Sequence, residues 1–200
     1  MTTDPYSTPE TSPAPATPPP MMKKPARMIV FGILHIVGAV FGLITLVINF
    51  AQGDPRKAFK KAFDQPGMKM EVSDEALSAL DPVFQYTTPI LIGTLLVAVP
   101  LLISGIGLLM STTWSLKLSN IYVALSLIMK IATLVIGLLI LGPAYDQFFD
   151  AIGGENNTMI KIMKTSTKAG IYAGLAVAIY PILSFILLNN KVVKDHLRLR

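Results

Sequence analysis

Lys130 is the one formally charged residue inside four long apolar runs of this chain. An ammonium in that setting can hold an anionic group where water does not reach. A lysine near a bilayer centre costs about 2.5–3.5 kcal/mol on insertion scales, so something must offset it. His35, Ser104, Ser126 and Ser184 lie at comparable depths from the ends of the same four runs. A helical side chain points back toward its own N-terminus. Together these residues predict one polar pocket, in the half of the bundle nearest the chain termini, made of Lys130, Ser126, His35, Ser104 and Ser184. Two plainer uses compete with it. The lysine stem can carry its charge toward the head groups, and His35 can be a hydrogen-bonded packing residue.

Other chemistries are excluded by what the runs lack. Ser104 precedes Gly105, but a nucleophilic serine would need His35 as its base, and no run holds an Asp or Glu to orient the imidazole. A Gly-x-Ser-x-Gly elbow, a P-loop and paired carboxylates are absent. So is the intramembrane carboxylate usual in proton- or sodium-coupled transport. The chain has no cysteine, and its two histidines, His35 and His196, lie far apart. Neither a catalytic residue nor a metal or other cofactor is expected.

The elements that must position these residues are transmembrane helices. Of 200 residues, 52% are hydrophobic and 14% charged, where soluble domains average about 25% charged. The apolar runs are Met28–Phe50, Thr87–Met110, Leu118–Gly142 and Ala169–Asn189. Each is long enough to cross a hydrocarbon core of about 30 Å at 1.5 Å per residue. The fold class is therefore all-α: a polytopic bundle of four spans over 28–190, with short interfacial helices in the two longer loops. Pro100 and Pro181 should kink their spans without breaking them. Residues 1–27 hold eight prolines among Thr and Ser, which reads as a disordered tail. Residues 191–200 read as a basic tail.

The net charge is +5, and much of it sits beside the runs, so the partner it implies is the bilayer, with anionic lipid at the basic tails, and not nucleic acid. Lys23, Lys24, Arg27, Lys117, Lys191, Lys194, Arg198 and Arg200 concentrate at the termini and the short middle loop. The other loops dilute their basic residues among acids, which places both termini in the cytoplasm. In the first loop, Asp54-Pro55 opens an amphipathic stretch that Gln65-Pro66-Gly67 closes, and Ser73 caps a second short helix. In the third, Tyr145, Phe148, Phe149 and Ile152 share a helical face before Gly153-Gly154. Asn156-Asn157-Thr158 matches the glycosylation sequon.

Small and polar residues recur at steps of three and four in each span, as membrane helices require for close packing. Gly38-xxx-Gly42 and Gly170-xxx-Gly174 stand out, as packing positions within the bundle or as contacts with a membrane protein partner or a second copy. The passage LLISGIGLLMSTTWSLKLSNIYVALSLI, residues 101–128, resembles the span, short basic Trp-containing loop and span of small uncharacterised bacterial four-span membrane proteins. The resemblance implies a bacterial cytoplasmic membrane and no particular activity. These observations favour a non-enzymatic accessory or interaction protein of that membrane. The alternative is a protein that binds or transports a small molecule, ion or lipid through the pocket at Lys130.

Overall fold

The computed structural model describes residues 23–63, 72–153 and 158–198, and every regular element among them is helical. Helix α1 spans Ala26–Ala51, α2 Pro55–Phe63, α3 Asp74–Ser78, α4 Asp81–Met110 and α5 Trp114–Ile136. A π turn over Gly137–Leu141 joins α5 to α6, Gly142–Ala151. Then follow α7, Thr158–Ala176, α8, Ile179–Leu188, and α9, Lys191–Arg198. Four helical runs are long and apolar enough to cross a membrane: Ala26–Ala51, Asp81–Met110, Trp114–Ala151 and Thr158–Leu188. The protein is a multi-pass membrane protein built as an all-α, four-helix bundle. Phe41 is 67% exposed, Ile128 63% and Leu139 72%, a surface that only lipid can cover at reasonable cost.

Local chemistry explains where the helices start and stop. Gly53, at φ +68°, ends α1 in the left-handed conformation that glycine adopts without penalty. Asp54 then accepts from the Arg56 N–H at 2.9 Å, with Pro55 at the first helical position of α2. Ser73 caps α3 through the Ala76 N–H, as its spacing predicts. At the end of α4 the left-handed residue is Ser111, and the Thr112 N–H returns to Gly107 O at 3.0 Å. A Cβ on Gly107 would fall 2.7 Å from the Trp114 ring and 2.8 Å from Ser115 Cβ, so only glycine lets the α4–α5 turn close this tightly. The Lys24 ammonium donates to Leu109 O, one of the carbonyls that the end of α4 leaves unpaired.

The prolines act differently from one another. Helix α4 runs unbroken through Pro89 and Pro100. The fourth span is divided, with a turn at Val177 and Ala178 between α7 and α8. Pro181 lacks an N–H and its ring opposes the carbonyl four residues back, at Val177, which accounts for the break where a kink was expected. Pro143 acts likewise on the third span: the π turn lies just before it and re-spaces the backbone bonds it cannot make.

Each end of the bundle has its own core. At the loop end, Phe63, Leu77, Leu80, Phe148, Phe149 and Ile160 bury one another, with Phe59, Phe84 and Tyr145 packed around them. The amphipathic faces of the loops thus cover each other. The third-loop face is no separate interfacial helix, because α6 continues the third span through the π turn. Asp146 and Asp150 on α6 meet Lys168 and Lys164 on α7 at 3.0 Å each, an antiparallel pair of i,i+4 spacings. At the terminal end, Met28, Phe31, Leu108, Leu188, Val193 and Leu197 form a second core. The segment expected as a basic tail is, through Arg198, an amphipathic helix folded under the bundle; Lys191, Lys194 and Arg198 are its exposed side. The proline-rich residues 1–22, the Gln65-Pro66-Gly67 stop, Gly154, Asn156-Asn157 and the last two residues lie outside the described residues.

Candidate functional site

The structure divides the five predicted pocket residues into two groups. His35, Ser104 and Ser184 come together from α1, α4 and α8, all fully buried. His35 Nδ1 lies 2.9 Å from Ser104 Oγ, and Nε2 lies 3.0 Å from Ser184 Oγ. The Ser104 hydroxyl donates its single proton to Leu101 O at 3.0 Å, so Nδ1 must donate to Ser104, and Nε2 accepts from Ser184. The rings of Tyr122, Tyr180 and Phe31 surround the imidazole at centroid distances of 5.3, 5.9 and 6.4 Å. Both ring nitrogens and both serines are used within this cluster. It is a brace across three helices. The Tyr180 hydroxyl beside it is buried with no hydrogen-bond partner among the described residues.

Lys130 and Ser126 belong elsewhere. They line a cavity of about 280 Å³ together with Gly38 and Gly42 of α1, residues Ile90 to Leu101 of α4, Thr133 and Leu134 of α5, and Ile171 and Gly174 of α7. The brace lies about four to nine residues from the terminal ends of its helices, some 6–14 Å at 1.5 Å per residue. The cavity lining lies about nine to twenty residues in, some 14–30 Å. It therefore occupies the middle and loop half of the bundle, whereas the spacing places it in the half nearest the termini. Lys130 makes no hydrogen bond or ion pair with the described residues, and its walls are otherwise apolar or hydroxylic. Thr94, one of those hydroxyls, already donates to Ile90 O at 2.9 Å, and Ser126 is in hydrogen-bonding reach of Tyr122. Among the described residues, no anionic side chain lines the cavity.

The glycine motifs also turn out differently. A Cβ on Gly38 would sit 3.5 Å from Leu101, and one on Gly42 3.6 Å from Ala98, ordinary contacts with α4. Among the described residues, nothing lies within 4 Å of a Cβ added at Gly170 or Gly174, so neither makes a close helix crossing there. The physical reason is the course of α7, which packs on α5 and α6 while α1 packs on α4 and α8. The close crossing of α1 and α4 is instead at Gly32 and Gly105, where a Cβ on Gly105 would fall 2.9 Å from Gly32 O. The loop half of α1 is left uncovered, and Thr45 and Asn49 there bond to carbonyls of their own helix. Asn120 and Asn189, a polar pair that spacing alone did not single out, join α5 to the end of α8: Asn189 Nδ2 donates to Asn120 Oδ1 at 2.8 Å.

No family model, curated protein or solved structure matches the chain.

Proposed function

We propose that this protein is a non-enzymatic membrane protein that binds an anionic group at Lys130, within the cavity between α1, α4, α5 and α7. The observation that carries the reading is a partly buried ammonium, without an anionic partner among the described residues, lining an open space instead of packing into the bundle. Intramembrane cations are paired or face a cavity that serves function, and here the protein supplies the cavity and not the counter-ion. The hydroxyls of Ser126 and Thr133 can orient a bound oxygen. The concentration of basic residues near the termini supports a cytoplasmic location for both ends in a bacterial cytoplasmic membrane. Lys191, Lys194 and Arg198 on α9 would then face anionic head groups.

A second reading rests on the open glycine face of α7. Gly170 and Gly174 leave space in which a helix from a partner or a second copy could pack closely, which is the accessory role expected from sequence. Native mass spectrometry of the purified chain separates the two. Retention of anionic lipid or acid adducts that Lys130→Met loses supports binding. Equal adducts in both proteins, with a stable dimer, would favour the partner reading and overturn the first.

A further inference from the structure

We infer that the ligand of the Lys130 cavity is a long-chain carboxylic acid that reaches it sideways from the bilayer, through the gap between α1 and α7; this rests on the binding reading above.

The location of the cavity decides its access route. Toward the terminal end it is floored by Leu101 and Ser126, below which Ala39, Tyr122 and Val123 close the interior together with the His35 brace. Toward the loop end, the aromatic core around Leu80 and Phe148 packs across the tops of α4 and α6. Buried side chains thus close the terminal end and cover the loop end over α4 and α6. The side is open: Gly38 and Gly174 line the cavity yet are themselves exposed, and they flank the space between α1 and α7. On α7 that space persists along the helix, since neither Gly170 nor Gly174 meets anything where a side chain would begin. A ligand using this opening must already be in the hydrocarbon.

The chemistry of the lining then selects among bilayer residents. The volume, about 280 Å³, corresponds to about nine water molecules at roughly 30 Å³ each. That admits a small head and a few methylenes, with the remaining chain lying in the groove or in lipid. Lys130 lies near the middle of its span, so a phospholipid would have to draw a permanently ionised phosphodiester deep into hydrocarbon. A carboxylic acid crosses hydrocarbon in its neutral form. On binding, the acid releases its proton to water, and the carboxylate left behind forms a pair of no net charge with the Lys130 ammonium. Ser126 and Thr133 are placed to contact the second carboxyl oxygen, and Val97, Met129 and Leu134 form the wall for the first methylenes.

The test uses the full chain in phosphatidylcholine nanodiscs, with stearic acid, butyrate and a phosphatidylglycerol as probes. Gly174→Phe narrows the opening at a position with free space around it, so the variant should fold; Ile128→Phe, on an exposed face away from the cavity, is the control. Stearic acid should bind saturably. Lys130→Met and Gly174→Phe should each weaken it by about tenfold or more, and Ile128→Phe should leave it unchanged. Butyrate should bind far more weakly. Butyrate binding that depends on Lys130 but ignores Gly174→Phe would overturn lateral access and leave the anion site standing. Selective phosphatidylglycerol binding with no stearic acid binding would overturn the ligand class. Binding of every probe unaffected by Lys130→Met would overturn both this inference and the site itself.

Discussion

Replacing His35 with Leu tests the brace across α1, α4 and α8. The substitution removes both bonds, at 2.9 and 3.0 Å, while keeping an apolar side chain among Phe31, Tyr122 and Tyr180. Interhelical hydrogen bonds in membranes average about 0.6 kcal/mol and reach about 1.7, so two bonds set an expectation near 1.2 and a ceiling near 3.4 kcal/mol. The serines decide where in that range the result falls. Ser104 keeps its bond to Leu101 O, and Ser184 can turn to a carbonyl of its own helix, so neither is left fully unsatisfied. The expected loss is about 1–2 kcal/mol, read by SDS-driven unfolding in mixed micelles. A double-mutant cycle of His35→Leu with Ser184→Ala should show coupling of about 0.6 kcal/mol or more. Zero coupling, or a His35→Leu protein as stable as the parent, would refute the brace.

The remaining predictions test the helix crossing, the cap and the ion pairs. Gly105→Ala places a Cβ 2.9 Å from Gly32 O and should destabilise by about 1–3 kcal/mol in the same assay, whereas Gly170→Ala meets open space and should change stability by less than about 1 kcal/mol. Phe148→Ala empties a fully buried site in the cap and should cost about 3–5 kcal/mol, with faster amide exchange in α2 and α3 as the local readout. Asp146→Asn breaks a half-exposed pair with Lys168 and should cost only about 0.2–1 kcal/mol, a difference that shrinks as salt is raised in denaturation titrations.

What was legible in the sequence follows from what each signal reports. Twenty uninterrupted apolar residues report lipid contact, so four spans could be read directly. They do not report where a helix stops: Asp81–Tyr86 and Thr158–Lys168 are too polar for hydrocarbon and lie outside the apolar runs, yet their helices continue through them into the cap. Depth along the spans was enough to bring His35, Ser104 and Ser184 together. It could not place Lys130, because a long side chain near mid-span goes where the neighbouring helices leave room, and the room depends on α7 leaning away from α1. The α6–α7 ion pairs had a readable signal in the i,i+4 spacings Asp146/Asp150 and Lys164/Lys168. So did α9, where Val193, His196 and Leu197 recur at steps of three and four. Gly32 and Gly105 had none, since each is one glycine among many in its span and only the crossing distinguishes it.

The central claim is that Lys130 holds the carboxylate of a long-chain acid inside the bundle. The most direct measurement is solid-state NMR of the ¹⁵Nζ-lysine protein in bilayers containing ¹³C-carboxyl stearic acid. The Lys130 resonance is assigned by its absence in Lys130→Met. The account predicts dipolar dephasing between that nitrogen and the labelled carboxyl carbon, at a distance of direct hydrogen-bonded contact. A Lys130 signal with no dephasing, while stearic acid is present in excess, would contradict it.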